Sequence, residues 1–187
     1  MIYFTSLVAA GLLAADMAAV LDLTPHPNKK QLEGVQLDNV AFHYGPNQVT
    51  YMPPFGWQAS GGQKKVTFRP DKAQAEASIE VFRKPEVTTF DPETVKALKE
   101  SIEKSLPRGV EQVVWGPDEE NTVIWNRHGT YRVTFSYSQF GQRYTTTIVF
   151  CNFNKEQLRF TLICHEADYE KLYTAFRSSL FSLEGLD

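Results

Sequence analysis

Two neighbouring residues, Cys164 and His165, offer the pairing of a thiol nucleophile with a base. The surrounding "LRFTLICH" reads as a β-strand, in which adjacent side chains point to opposite faces. A dyad needs its two groups within hydrogen-bond reach, so this pair is expected to fail as one. The other histidines, His26, His43 and His128, show no H-x-x-x-H spacing and no second cysteine at zinc spacing. "SGGQKK", residues 60–65, sets glycine N–H groups beside two lysines, the ingredients of an anion cradle. It lacks both G-x-x-x-x-G-K-[ST] and G-x-G-x-x-G, and reads better as a hairpin turn with solvated lysines. "PDEEN", residues 117–121, gathers three carboxylates without calcium-loop spacing and reads as an acidic turn. No catalytic residue, metal ligand or cofactor motif emerges, and the expectation is a protein that is not an enzyme.

One constellation suggests binding. If "PDEEN" turns symmetrically about Glu120, Trp115 lies opposite Trp125 and Val113 opposite Arg127. Two indoles and a guanidinium side by side make an aromatic, cationic patch suited to a protein partner. The competing reading puts both indoles in the core. The net charge is −3 over 187 residues, and no basic stripe is visible, so nucleic acid has no electrostatic footprint here.

These side chains need elements to hold them. Short alternating runs mark strands at Val40–Phe42–Tyr44, Val49–Tyr51, Val66–Phe68 and Ala75–Ala77–Ile79–Val81. In "VTYMPPFGW", two adjacent prolines cannot donate to a ladder, so the strand must stop, and Trp57 can fold back onto the core. "FDPETVKALKESIEKSL" is a helix: Asp91 caps it, Pro92 takes the first position, and Val95, Leu98, Ile102 and Leu106 form one stripe. Further strands are expected near 111–116, 122–127, 130–139, 143–152 and 157–165. In the third, Tyr131, Val133, Phe135 and Tyr137 point inward and the residues between them outward, giving one dry and one polar face. Tyr169, Leu172, Phe176 and Leu180 make a closing helical stripe.

Two cysteines raise the question of a disulfide. Matching apolar faces of the hairpin "RYTTTIVFCNFNKEQLRFTLICH" sets Phe150 opposite Phe160 and Ile148 opposite Leu162. Cys151 and Cys164 then face opposite ways and sit far apart along the ladder, so two free thiols are expected.

The first 23 residues are apolar from Ile2 to Ala15 and then broken by Asp16 and Asp22. About 14 uninterrupted residues are too few to span a bilayer. The run suits the apolar region of a secretory signal, with approximate cleavage sites at Ala14-Ala15 and Ala18-Ala19. Against that, no Lys or Arg precedes Lys29 and no clean A-x-A occurs. An N-terminal helix with an apolar face is the other reading. Lipidation at a processed cysteine is not expected, because the first Cys is Cys151. Residues 24–35 read as a polar, Pro-containing connector, and 36–187 as one domain. The expected location is extracytoplasmic, or cytoplasmic if the N-terminus is not cleaved.

The expected architecture is α+β, an αβα sandwich with a mostly antiparallel sheet, one mid-sequence helix and one C-terminal helix. From roughly residue 36 to 184 the order of elements resembles the PsbP-like superfamily. "VTYMPPFGW", "KKVTFRP", "ASIEVF", the Asp91 helix, "YRVTFSY", "RYTTTIVFCN", "LRFTLICH" and "YEKLYTAFRSSLFSL" carry the likeness. The resemblance implies the αβα sandwich, a role in binding or assembly and no catalytic residues. The alternative is a helix-grip protein that holds a small apolar ligand between a curved sheet and its last helix.

Overall fold

Three strands form a small antiparallel sheet in the order β1 (Leu21–Leu32), β2 (Val35–Tyr44) and β3 (Asn47–Tyr51). The structure, a computed structural model, describes residues 20–83, 89–125, 128–153 and 155–186. The large sheet comprises β4 (Trp57–Gly62), β5 (Lys65–Pro70), β6 (Ala75–Arg83), β7 (Val110–Trp115), β8 (Glu119–Glu120), β9 (Thr130–Gln139), β10 (Gln142–Phe153) and β11 (Glu156–His165). Its order is β4-β5-β6-β11-β10-β9-β7, with β8 pairing on β9, and the paired strands run antiparallel. Two α-helices cover it, α1 (Pro92–Ser105) and α2 (Tyr169–Leu180).

The helices lie on opposite faces. Leu98 and Ile102 of α1 pack on Tyr131, Val133, Phe135 and Tyr137 of β9 and on Ile148 and Phe150 of β10. The other face carries Val149 and Cys151 of β10 with Phe160 and Leu162 of β11, and meets Leu172, Phe176 and Leu180 of α2. The small sheet joins that second core through Phe42, Val49 and Tyr51. This is the expected α+β sandwich.

Local signals set α1 as expected. Asp91 accepts a bond from Thr94 N at 2.8 Å, which satisfies one free N–H of the first turn. Trp57 is 9% exposed and opens β4 after a turn in which its N–H bonds Pro54 O at 3.1 Å. The prolines therefore end β3, and the indole folds back.

Four expectations change. Residues 24–35, read as a connector, form most of β1 and its turn into β2. Pro25 and Pro27 are tolerated because β1 is an edge strand with an irregular register between Asp22 and His26. Glu33 and Gly34, both with positive φ, make the tight turn. Of the apolar N-terminal segment, Met1–Ala19 lies outside the described residues, while Leu21 and Leu23 are core residues of β1.

The β10–β11 register differs from expectation by one residue: Val149, not Phe150, faces Phe160, and Thr147 faces Leu162. Central strand β10 is buried on both faces from Thr145 to Phe153, so it has two apolar faces to match. Cys151 and Cys164 consequently share one face. Cys151 sits opposite Leu158, six residues along β11 from Cys164, which is about 20 Å at strand spacing. Both thiols are free and buried, as expected for the ladder separation alone.

Of the strand expected at 122–127, residues 126 and 127 lie outside the described residues, and 122–125 form no strand. Trp125 makes an isolated bridge to His128, and Thr130 Oγ1 ties down both backbone groups of Val123. Finally, the outward face of β9 is not a bare polar face. Thr134 bonds Thr147, Thr147 bonds Tyr169 of α2 at 2.7 Å, and Arg132 donates to the Tyr173 hydroxyl while pairing with Glu119 at 2.7 Å.

Candidate functional site

The two tryptophans expected to lie side by side are separated by the sheet itself. β7 pairs with β9, setting Trp115 opposite Phe135 on the α1 face. The chain then crosses to the α2 face, where Trp125 joins the second core. Arg127 lies outside the described residues. The structure thus does not bring Trp115 and Trp125 into one patch, and each is described in its own surroundings.

Trp125 is 5% exposed, with its ring 4.8 Å from that of Phe160. Its Nε1–H donates to Leu180 O at 2.8 Å. That carbonyl belongs to the last turn of α2, where acceptors lack intrahelical partners, so the indole closes the helix end. Beside it two large apolar side chains stand out to solvent. Ile124 is 63% and Phe181 60% exposed, and together with Leu183 and Leu186 they flank a hollow of about 350 Å³. The Arg177 guanidinium stands 5.9 Å over the Phe181 ring. An isolated bridge fixes this end: Thr50 and Glu184 exchange two backbone bonds of 3.0 Å. Gly185 follows at φ +88, where a Cβ would fall 2.4 Å from Gln48 O, so only glycine suits the position.

Trp115 lines a cleft of about 540 Å³ beside α1. Its Nε1–H donates to Glu103 at 3.0 Å, and Lys99 Nζ stands 5.1 Å over its ring. Lys99 also pairs with Asp118 at 2.7 Å, and the Tyr131 hydroxyl donates to the same carboxylate at 2.9 Å. Burial first, and then the Asp118 bond, push the Tyr131 phenol up to about 12. At neutral pH it is therefore a hydrogen-bond donor, not a base. The carboxylates of "PDEEN" go separate ways, Asp118 to Lys99 and Tyr131, Glu119 to Arg132. Among the described residues no group of three or more His, Cys, Asp or Glu is arranged to hold a metal ion.

Cys164 and His165 point to opposite faces, as the strand reading requires. Cys164 is 1% exposed in the α2-side core, and burial pushes its thiol up to about 11. His165 instead stacks on Tyr144 at 4.6 Å and bonds Gln74 at 2.8 Å. "SGGQKK" is the β4–β5 hairpin, with Gly62 opposite Lys65 and Lys65 paired to Glu80 at 2.6 Å. Between the sheet and α2, Phe160, Phe176 and Leu180 are each at most 1% exposed.

Sequence reading missed Ile124 and Phe181. A signal for Phe181 existed. It sits one residue beyond Leu180, about 100° off the buried stripe of α2, so a large apolar side chain there had to face outward.

No family model matches the chain, and no curated protein matches it. Among solved structures, it is similar to cyanobacterial PsbP (CyanoP) from Synechocystis, with a TM-score of 0.55 and 11% identity over 73% of this chain and 86% of that one. A protein of unknown function from Pseudomonas aeruginosa is also similar, with a TM-score of 0.47 and 18% identity over 85% of this chain and 96% of that one. The Synechocystis likeness shows that this chain has a PsbP-like fold.

Proposed function

We propose that the protein is a non-enzymatic, exported module for binding or assembly, and that it takes a protein partner at the Ile124–Phe181 end of its sandwich. The observation that carries this reading is the exposure of these two large apolar side chains beside a hollow over Trp125. Phe55 and Phe140 are more exposed still, but each stands out from a turn, whereas Ile124 and Phe181 flank a concave surface. Exposed apolar side chains rimmed by polar groups mark interaction sites, and aromatic anchors dominate interface energies. Arg177 and Glu184 supply charges beside it. Export rests on the apolar run from Ile2 to Ala15, and the absence of any helix long and apolar enough to cross a membrane among the described residues is compatible with it.

The test is a photo-reactive side chain at position 124 in the chain expressed in its native cell, followed by mass spectrometry of the adduct and of the mature N-terminus. One stoichiometric protein adduct is expected, and Phe181→Glu should weaken its binding by about tenfold or more, as loss of an aromatic anchor does. Trp115→Phe, on the opposite face of the sheet, should leave binding unchanged. Unaltered affinity in Phe181→Glu would refute the reading.

A further inference from the structure

Where β1 begins, the chain borders a cleft of about 860 Å³. The β4–β5 turn at Gln63 and Lys64, the end of β6 at Phe82 and Arg83, and the first residue of β11, Glu156, form its other walls. Glu156 is 6% exposed, yet its Oε1 has no hydrogen-bond partner among the described residues. Its Oε2 accepts the Leu21 N–H at 3.4 Å, beyond the usual N–H···O range. The nearby cations do not complete it. Lys65 is taken by Glu80 at 2.6 Å; Lys64, which also lines the cleft, and Arg83, directly across the ladder from Glu156, form no ion pair with it among the described residues. Burial raises the Glu156 carboxyl above its ordinary value, which marks how poorly the charge is compensated.

A nearly buried carboxylate oxygen with no donor is costly, and the cost falls when a cation with N–H groups reaches it. The geometry selects the kind of cation. One oxygen already faces Leu21 N, so a guanidinium could not use its two-pronged fork, whereas a compact ammonium needs a single oxygen. Among the charged residues of the cleft, Leu21, Val81 and Phe82 offer apolar surface that suits an alkyl substituent.

We propose that the Glu156 cleft is a receptor for a primary ammonium group carried on an apolar stem. Two sources have this chemistry. One is a separate alkylammonium ligand. The other is the chain's own α-ammonium on Val20, freed if processing falls after Ala19, at the second of the two approximate cleavage sites. Val20 lines the same cleft, and its nitrogen is one residue from the Leu21 N–H that already meets Glu156. Only this second source depends on the export reading.

Two arms separate the sources. In the first, n-butylammonium chloride is titrated into the full chain while the Leu21 amide resonance is followed, with tetramethylammonium as a cation of equal charge and no N–H. A saturable shift with butylammonium alone, lost in Glu156→Gln, identifies a ligand site. In the second, a protease recognition sequence replaces residues 16–19 of the full chain, and Tm is measured before and after cutting ahead of Val20. A rise of about 3 °C or more on cutting, absent in Glu156→Gln, identifies the chain's own terminus as the occupant. No Glu156-dependent effect in either arm overturns the proposal. Glu156→Gln preserves shape while it removes the charge and exchanges one acceptor oxygen for an N–H donor, and the uncut chain reports its folding in both arms.

Discussion

The hydroxyl of Tyr51 is a single polar atom deep in the α2-side core, and it gives a sharp test of how the small sheet is held to the last helix. Tyr51 is 1% exposed, with its ring 5.2 Å from that of Phe68, and its hydroxyl lies 2.6 Å from Ser179 Oγ. Ser179 in turn donates to Phe176 O at 2.6 Å. A carbonyl can only accept, so the serine proton points to Phe176 and Tyr51 must be the donor in the pair. Burial raises the Tyr51 phenol well above its ordinary value, so that donor persists across the neutral range. Tyr51→Phe removes the donor but leaves the Ser179 proton satisfied, and should cost about 1 kcal/mol. Ser179→Ala strands the phenolic O–H among apolar rings, which costs about 1–3 kcal/mol, offset by at most a few tenths from the better helix propensity of alanine. In the double variant nothing is stranded, so it should be no less stable than Ser179→Ala alone. Urea unfolding reads this directly: with a slope of about 2 kcal/mol/M, the midpoint falls by about 0.5 M for Tyr51→Phe and about 1 M for Ser179→Ala. Additive losses in the double variant, or a smaller loss in Ser179→Ala than in Tyr51→Phe, would refute the donor assignment.

Two further outcomes follow from local chemistry. Backbone and side-chain hydrogen bonds with Thr94 hold the Asp91 carboxyl below its ordinary value, so its stabilisation is fully present above the unfolded pKa of ~3.9 and is lost as pH falls through the folded value. Asp91→Ala should therefore lower Tm at pH 7, and the gap to the parent should narrow at pH 3. Burial pushes the Cys151 thiol up to about 12 and Cys164 up to about 11. A thiol-specific disulfide reagent should find both unreactive in the folded chain at pH 8 and count two on unfolding; fast reaction in native buffer would contradict their burial.

What could be read from the sequence was what local chemistry decides. Asp91, Pro92 and the Val95–Leu98–Ile102 spacing set α1 without reference to any other element, and strict alternation set β9. Strand register was harder, because the usual cue is a single apolar face. β10 is covered by α1 on one side and by α2 on the other, so Ile148 and Phe150 argue for one register while Val149 and Cys151 argue equally well for its neighbour. β1 was hidden by Pro25 and Pro27, which disqualify a central strand but not an edge. Glu156 was invisible for a related reason: its type predicts exposure, and only the arrival of β1 over the start of β11 buries it.

The tryptophans show most clearly where sequence reasoning goes astray, and why that matters for function. Placing Trp115 beside Trp125 assumed that the strand after an acidic turn pairs with the strand before it. Here the partner of Trp115 is Phe135, twenty positions on, because Gly116 donates its N–H to Thr134 O at 2.8 Å and commits β7 to β9. The chain stays on β9 through β8 and the Asn121 N–H bond to Thr130 O, and only beyond it does Trp125 reach the helix end that it closes through Leu180. The same move that destroys the expected aromatic pair leaves Ile124 facing solvent next to Phe181. A partner anchored there is separated from Trp115 by the full thickness of the sheet. Substitutions at the two tryptophans should accordingly report on different faces, with Trp115 answering to α1 and Trp125 to the last turn of α2.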